Sequence, residues 1–79
     1  MNISICAQGD LFTMKENGSF VLRAVQLPII IEELKDRMRK YPYQKILLSY
    51  HDVPAGVQSE IDGWVRGHNN AVDLDARSD

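Results

Sequence analysis

The spacing of the apolar residues changes at Leu27, and that change constrains the fold more than any other feature. Near the start they recur at every second position, as Ile3, Ile5 and Ala7 and again as Phe20, Leu22 and Ala24. Period two is the mark of a strand with one buried face, because successive side chains point to opposite sides. From Leu27 the spacing becomes helical: Leu27, Ile30, Ile31, Leu34 and Met38 fall at i, i+3, i+4, i+7 and i+11 on one stripe. Strands and a helix that are each apolar on one side must cover one another. The chain is therefore expected to form a layer of sheet against a layer of helix.

Turn residues divide the rest. Gly9-Asp10 separates the first strand from Leu11–Met14, and Asn17-Gly18 separates that from Phe20–Ala24. Asn-Gly tolerates the positive φ that a tight hairpin requires. Pro28 suits a first helical turn, where its missing N–H is not needed. Glu32 and Glu33 precede Arg37, Arg39 and Lys40, an order that matches the helix dipole, and Glu33 can pair with Arg37 at i, i+4. Tyr41-Pro42 ends the helix, since a residue before proline avoids helical ψ. Ile46–Tyr50 is almost continuously apolar and is expected to be a strand buried on both faces at the centre of the sheet. His51–Gly56 reads as a loop. Val57, Ile61, Trp64 and Val65 keep helical spacing, with Asp52 or Ser59 as the expected cap and Gly67 as the expected stop. Val72, Leu74 and Ala76 alternate with polar residues and predict a short last strand, followed by a frayed Ser78-Asp79. The expectation is one α/β (α+β) domain over residues 1–79. It has a single mixed sheet, an element order β-β-β-α-β-α-β, and two helices packed on the sheet.

Composition narrows the function. The formal net charge is −2 over 79 residues, and the one cysteine, Cys6, excludes an internal disulfide or a cysteine-built zinc site. No apolar run approaches the ~18 residues of a membrane span. Met1–Ile5 lacks the basic start and apolar stretch of a secretion signal, so a cytoplasmic location and no membrane contact are expected. No glycine pattern cradles phosphate, and no cofactor is expected. His51-Asp52 at a strand end is a candidate general base. Strand neighbours point to opposite faces, however, and no nucleophile motif accompanies them; a catalytic role is not expected. His68 lies near Asp73 and Asp75 and would make a metal site with His51 only if folding joined them; none is expected. Lys35, Arg37, Arg39, Lys40 and Lys45, beside Tyr41 and Tyr43, have the chemistry to hold phosphates. They share their helix with Glu32, Glu33 and Asp36 in an acidic chain, which weighs against nucleic acid. Cys6 reads as an inert thiol. Ile29, Tyr41, Tyr43 and Val21 fall off the apolar stripes, and a cluster of such residues would mark an interface with a protein partner or a second copy.

Two resemblances bear on the role. Gly18-Ser19-Phe20 before the first helix, the run Ile46–Pro54, and Ser59 opening the second helix resemble the STAS domain of anti-sigma-factor antagonists. That resemblance implies a regulatory protein-binding domain with a phosphorylatable serine, at Ser59 here; Val57-Gln58 stands where the family carries an acidic residue. Asp52-Val53-Pro54 with Gly56, and the closing Val72-Asp73-Leu74, are also similar to the periplasmic domain of the ExbD/TolR proteins, which implies an interaction domain. The expected function is a small non-enzymatic regulatory module. It would bind a protein partner through Asp52, Val53, Pro54, Gly56 and Ser59, with Tyr41 and Tyr43 contributing. The alternative is a stand-alone inhibitor of a larger nucleic-acid-processing complex, acting through Glu60, Asp62, Asp73, Asp75 and Asp79.

Overall fold

The computed structural model describes residues 1–77. Three strands come first: β1 (Asn2–Gln8), β2 (Leu11–Glu16) and β3 (Ser19–Val25). Helix α1 (Leu27–Lys40), strand β4 (Leu47–His51) and helix α2 (Ala55–Arg77) follow. The strands make a single mixed sheet in the order β3-β2-β1-β4, antiparallel except for the β1–β4 pair. The expected class, one mixed sheet carrying two helices, is what forms. Ser78 and Asp79, expected to fray, lie outside the described residues.

One face of the sheet holds the core. Ile3, Ile5 and Ala7 of β1 and Phe12 and Met14 of β2 pack with Ile30 and Leu34 of α1 and with Ile61 and Val65 of α2. The 2–3 hairpin turns on Asn17 (φ 50°) and Gly18 (φ 88°), both in the left-handed region that the Asn-Gly pair tolerates. Asn17 also ties down the start of β1: its backbone N–H donates to Asn2 O at 2.8 Å, and its side-chain oxygen accepts from Asn2 N at 3.1 Å. Helix α1 begins after Gln26 and ends where Tyr41 N–H donates to Arg37 O at 2.9 Å. Arg37 reaches Glu33 at 3.3 Å, as its spacing implies, and also Glu16 at 2.9 Å, which fastens α1 to the end of β2.

Two expectations are overturned. Ile46–Tyr50 does not run through the centre of the sheet: β4 is an edge strand, and only Ile46, just before it, is buried. Leu47 is 60% exposed because it points to the sheet face that neither helix covers. The inner positions belong to β1 and β2. Their alternating patterns suffice there, since only one face is covered.

The expected last strand is also absent. Val72–Ala76 is helical, and α2 passes through Gly67 without stopping. Val65, Asn69 and Val72 extend the buried stripe at helical spacing, and the polar Asn69 within it masked the period. Contacts from this part of α2 to the segment before β4 hold it in place. His68 Nε2 meets Gln44 O at 2.5 Å, Asn69 meets the backbone of Ile46, and Lys45 pairs with Asp73 at 2.5 Å. A methyl added at Gly67 would meet nothing within 4 Å. Gly67→Ala is therefore expected to raise stability by about 0.5–1 kcal/mol, seen as a higher urea midpoint at unchanged slope. A loss of stability would mean that this segment is not helical.

Candidate interaction surface

The segment joining β4 to α2 is held from below and open above. Asp52 takes a left-handed backbone (φ 57°), which lets the chain leave β4 and turn back over the core. Val53 is 7% exposed and anchors the segment in the core. The Gln58 side chain donates to Val53 O at 2.8 Å, and Gln58 N–H closes the first turn of α2 on Pro54 O at 3.0 Å. Pro54 thus occupies the position expected of Asp52 or Ser59. Ser59 lies in the second turn of α2 rather than at its start, so it caps nothing. His51, Asp52, Pro54, Ala55, Gly56, Ser59 and Glu60 are exposed. The fold therefore gathers Asp52, Pro54, Gly56 and Ser59 on one rim, while Val53 serves as their anchor.

Tyr41 and Tyr43 do not join them. They precede β4, and Asp52 follows it, so the length of the strand, about 17 Å at 3.3 Å per residue, lies between the two groups. Tyr43 is 75% exposed at that far end. Of the other surplus apolar residues, Ile29 is exposed, whereas Val21 packs against the core.

Beside the rim, Tyr50 O–H donates to Asp62 Oδ1 at 2.6 Å and ties β4 to α2. Burial raises the Tyr50 pKa most, and the hydrogen bond to Asp62 and the charge of that carboxylate raise it further. The folded state thus favours the neutral phenol. As pH rises past the ordinary tyrosine value of 10.0, the unfolded chain ionises first. The stabilisation is complete below that pH and is lost as pH climbs through the folded value. Tyr50→Phe is expected to flatten the alkaline decline of the urea midpoint; an unchanged decline would show that Tyr50 does not cause it.

The sheet face without helices is mostly polar, with Leu47 and Phe20 as apolar exceptions on it. Register places Thr13, Cys6 and His51 in one row across β2, β1 and β4, and Lys15, Ser4 and Ser49 in the next. Ser4 and Ser49 hydroxyls hydrogen-bond at 3.0 Å. Lys15 and Arg23 both stand over the exposed Phe20 ring, at 4.6 and 4.0 Å from its centre. A shallow cavity of about 380 Å³ is lined by Ser4, Cys6, Thr13, Lys15 and His51; Asp52 does not line it. The His51-Asp52 pair is thus divided between different surroundings. His68 lies at the opposite end of β4, against Gln44, so the two histidines are not brought together. Among the described residues no group of three metal-ligating side chains forms.

A third surface was not read from the sequence. A groove of about 380 Å³ runs between the outer edge of β4 and α2, lined by Ile46, Leu47, Leu48, Asp62, Val65, Arg66 and Asn69. Asn69 closes one end. Its side-chain oxygen accepts from Ile46 N–H at 2.8 Å and its NH₂ donates to Ile46 O at 2.9 Å. That bidentate contact takes the place of a neighbouring strand at this one residue. The signal available in the sequence was an asparagine lying on the apolar stripe of α2. No family model, curated protein or solved structure matches the chain.

Proposed function

We propose that this chain is a non-enzymatic, regulatory protein-binding module that engages a partner with the rim from Asp52 to Ser59. The observation that supports the reading is the construction of that rim. Val53 and the Gln58–Val53 hydrogen bond fix its backbone, while Asp52, Pro54, Gly56 and Ser59 remain exposed on it. A surface that is already ordered loses little conformational freedom on binding, and segments held by a rigid scaffold commonly carry contacts. Tyr41 and Tyr43, at the other end of β4, are outside this contact.

A photo-crosslinking residue placed at position 59, with a control at the exposed Glu32 of α1, tests the reading. The expected result is a discrete adduct with one protein, formed from position 59 and not from 32, and lost on Asp52→Ala. Identical products from both positions, or an adduct indifferent to Asp52→Ala, would overturn it.

A further inference from the structure

The two edges of the sheet differ in how they meet solvent. On β3 the ladder to β2 is broken by register shifts between Phe12 and Met14 and between Met14 and Lys15. Ala24 there takes a left-handed backbone (φ 51°). Bulges of this kind, together with the charge of Arg23, twist and blunt an edge against further pairing. By contrast, β4 has an unbroken register with β1 from Leu47 to His51 and contains no proline, lysine or arginine. It thus has no bulge, proline, lysine or arginine to keep its edge from pairing.

The outward backbone groups of β4 can be identified. Leu47 N–H donates inward to Met1 O at 2.8 Å. In a strand the direction alternates, so Ser49 and His51 also bond inward, whereas Ile46, Leu48 and Tyr50 present their N–H and C=O outward. Asn69 satisfies Ile46. Among the described residues nothing satisfies the outward N–H and C=O of Leu48 and Tyr50. We infer that these four groups pair with the same four groups of a second copy, through antiparallel β4–β4 addition about a two-fold axis at Ser49.

The geometry of that pairing is self-complementary. Leu48 faces the partner's Tyr50 and exchanges both hydrogen bonds with it; by symmetry Tyr50 does the same with the partner's Leu48, so all four outward groups are used. Helix α2 runs antiparallel to β4, since Asp62 meets Tyr50 and Asn69 meets Ile46. Arg66, midway between Asp62 and Asn69 on α2, therefore stands level with Leu48, and both Asp62 and Arg66 line the groove along this edge. The register that sets Leu48 against the partner's Tyr50 thus also sets Arg66 against the partner's Asp62. Among the described residues Arg66 has no ion-pair partner within the chain. Opposite charges at matching levels on both sides of the axis are the reason to assign this edge to a second copy rather than to a foreign strand. The product is a continuous eight-stranded sheet, and the inference is drawn from the β4 edge alone, so it does not depend on the partner-binding reading.

Sedimentation equilibrium of the wild-type chain at concentrations up to on the order of 100 μM is expected to show a dimer. Arg66→Glu and Asp62→Lys, each alone, place like charges across both symmetric contacts and should weaken the dimer about 100-fold, tenfold per contact. Mixed together, the two variants restore opposite charges at both contacts and should recover a dimer containing one copy of each. Leu48→Pro removes an outward donor without touching the β1 ladder, and should give a folded monomer by circular dichroism. A monomeric wild type, a dimer indifferent to Leu48→Pro, or no recovery on mixing would overturn the inference. A monomer that takes up a foreign strand along β4 would overturn it as well.

Discussion

Ile5→Ala is expected to lower the stability of this chain by about 3 kcal/mol, within the ~2–5 kcal/mol range for truncating a buried isoleucine. Ile5 is fully buried in β1, an inner strand of the sheet, between Met14 on β2 and Tyr50 on β4. Its side chain belongs to the core on which both helices sit. The substitution removes transfer free energy and leaves a cavity that β1, paired on both sides, cannot close by moving. A chain of 79 residues has little reserve: small domains bury a smaller share of their surface, and such a loss is comparable with the whole net stability. Urea unfolding followed by circular dichroism should show the midpoint collapsing toward zero denaturant. Leu47→Ala, at the 60% exposed position, serves as the contrast and should move the midpoint little. Equal effects at the two sites would contradict the placement of β1 inside and β4 at the rim.

Asn69→Ala is expected to cost about 1–3 kcal/mol, because it strips both partners from the Ile46 backbone while Ile46 itself stays buried. The loss should be local as well as global. Amide exchange at Ile46 should rise far more than at Ile5, which keeps its ladder bonds. Asn69→Asp separates the two halves of the contact. The carboxylate still accepts from Ile46 N–H but cannot donate to Ile46 O and sets its charge against that carbonyl, so stability should fall while Ile46 exchange rises less than in Asn69→Ala. If Ile46 exchange is unchanged in both variants, the clamp does not hold the start of β4.

What could be read from the residues followed one rule: local pattern is informative where a single local interaction decides. The Asn17-Gly18 hairpin, the alternation of β1 and the stripe of α1 are of that kind, and the Glu33–Arg37 pair forms on its helical spacing. The Ile46–Tyr50 run misled because apolar residues report a preference for burial without reporting which face is covered. Leu47 is apolar and exposed; Ile46 is apolar and buried one position earlier. The last strand misled for a related reason. Val72, Leu74 and Ala76 satisfy period two, but Val65, Asn69 and Val72 satisfy period 3.6 once a polar residue is admitted to the stripe. Of the residues read as a contact, Asp52, Pro54, Gly56 and Ser59 are exposed along one segment, Val53 is turned inward, and the two tyrosines lie at the far end of β4.

The amino-acid sequence by itself determined the layers, since a change of apolar period from two to 3.6 admits few ways of burying both faces. Only the tertiary structure decided the order of the strands and therefore which edge is open. That choice depends on contacts between residues distant in the chain, above all Asn69 on Ile46 and Asp62 on Tyr50, and no local spacing encodes them. Hydrogen-bond donors and acceptors on a strand are the same whether it lies inside or at the rim; the neighbours alone determine which of them remain free to bind.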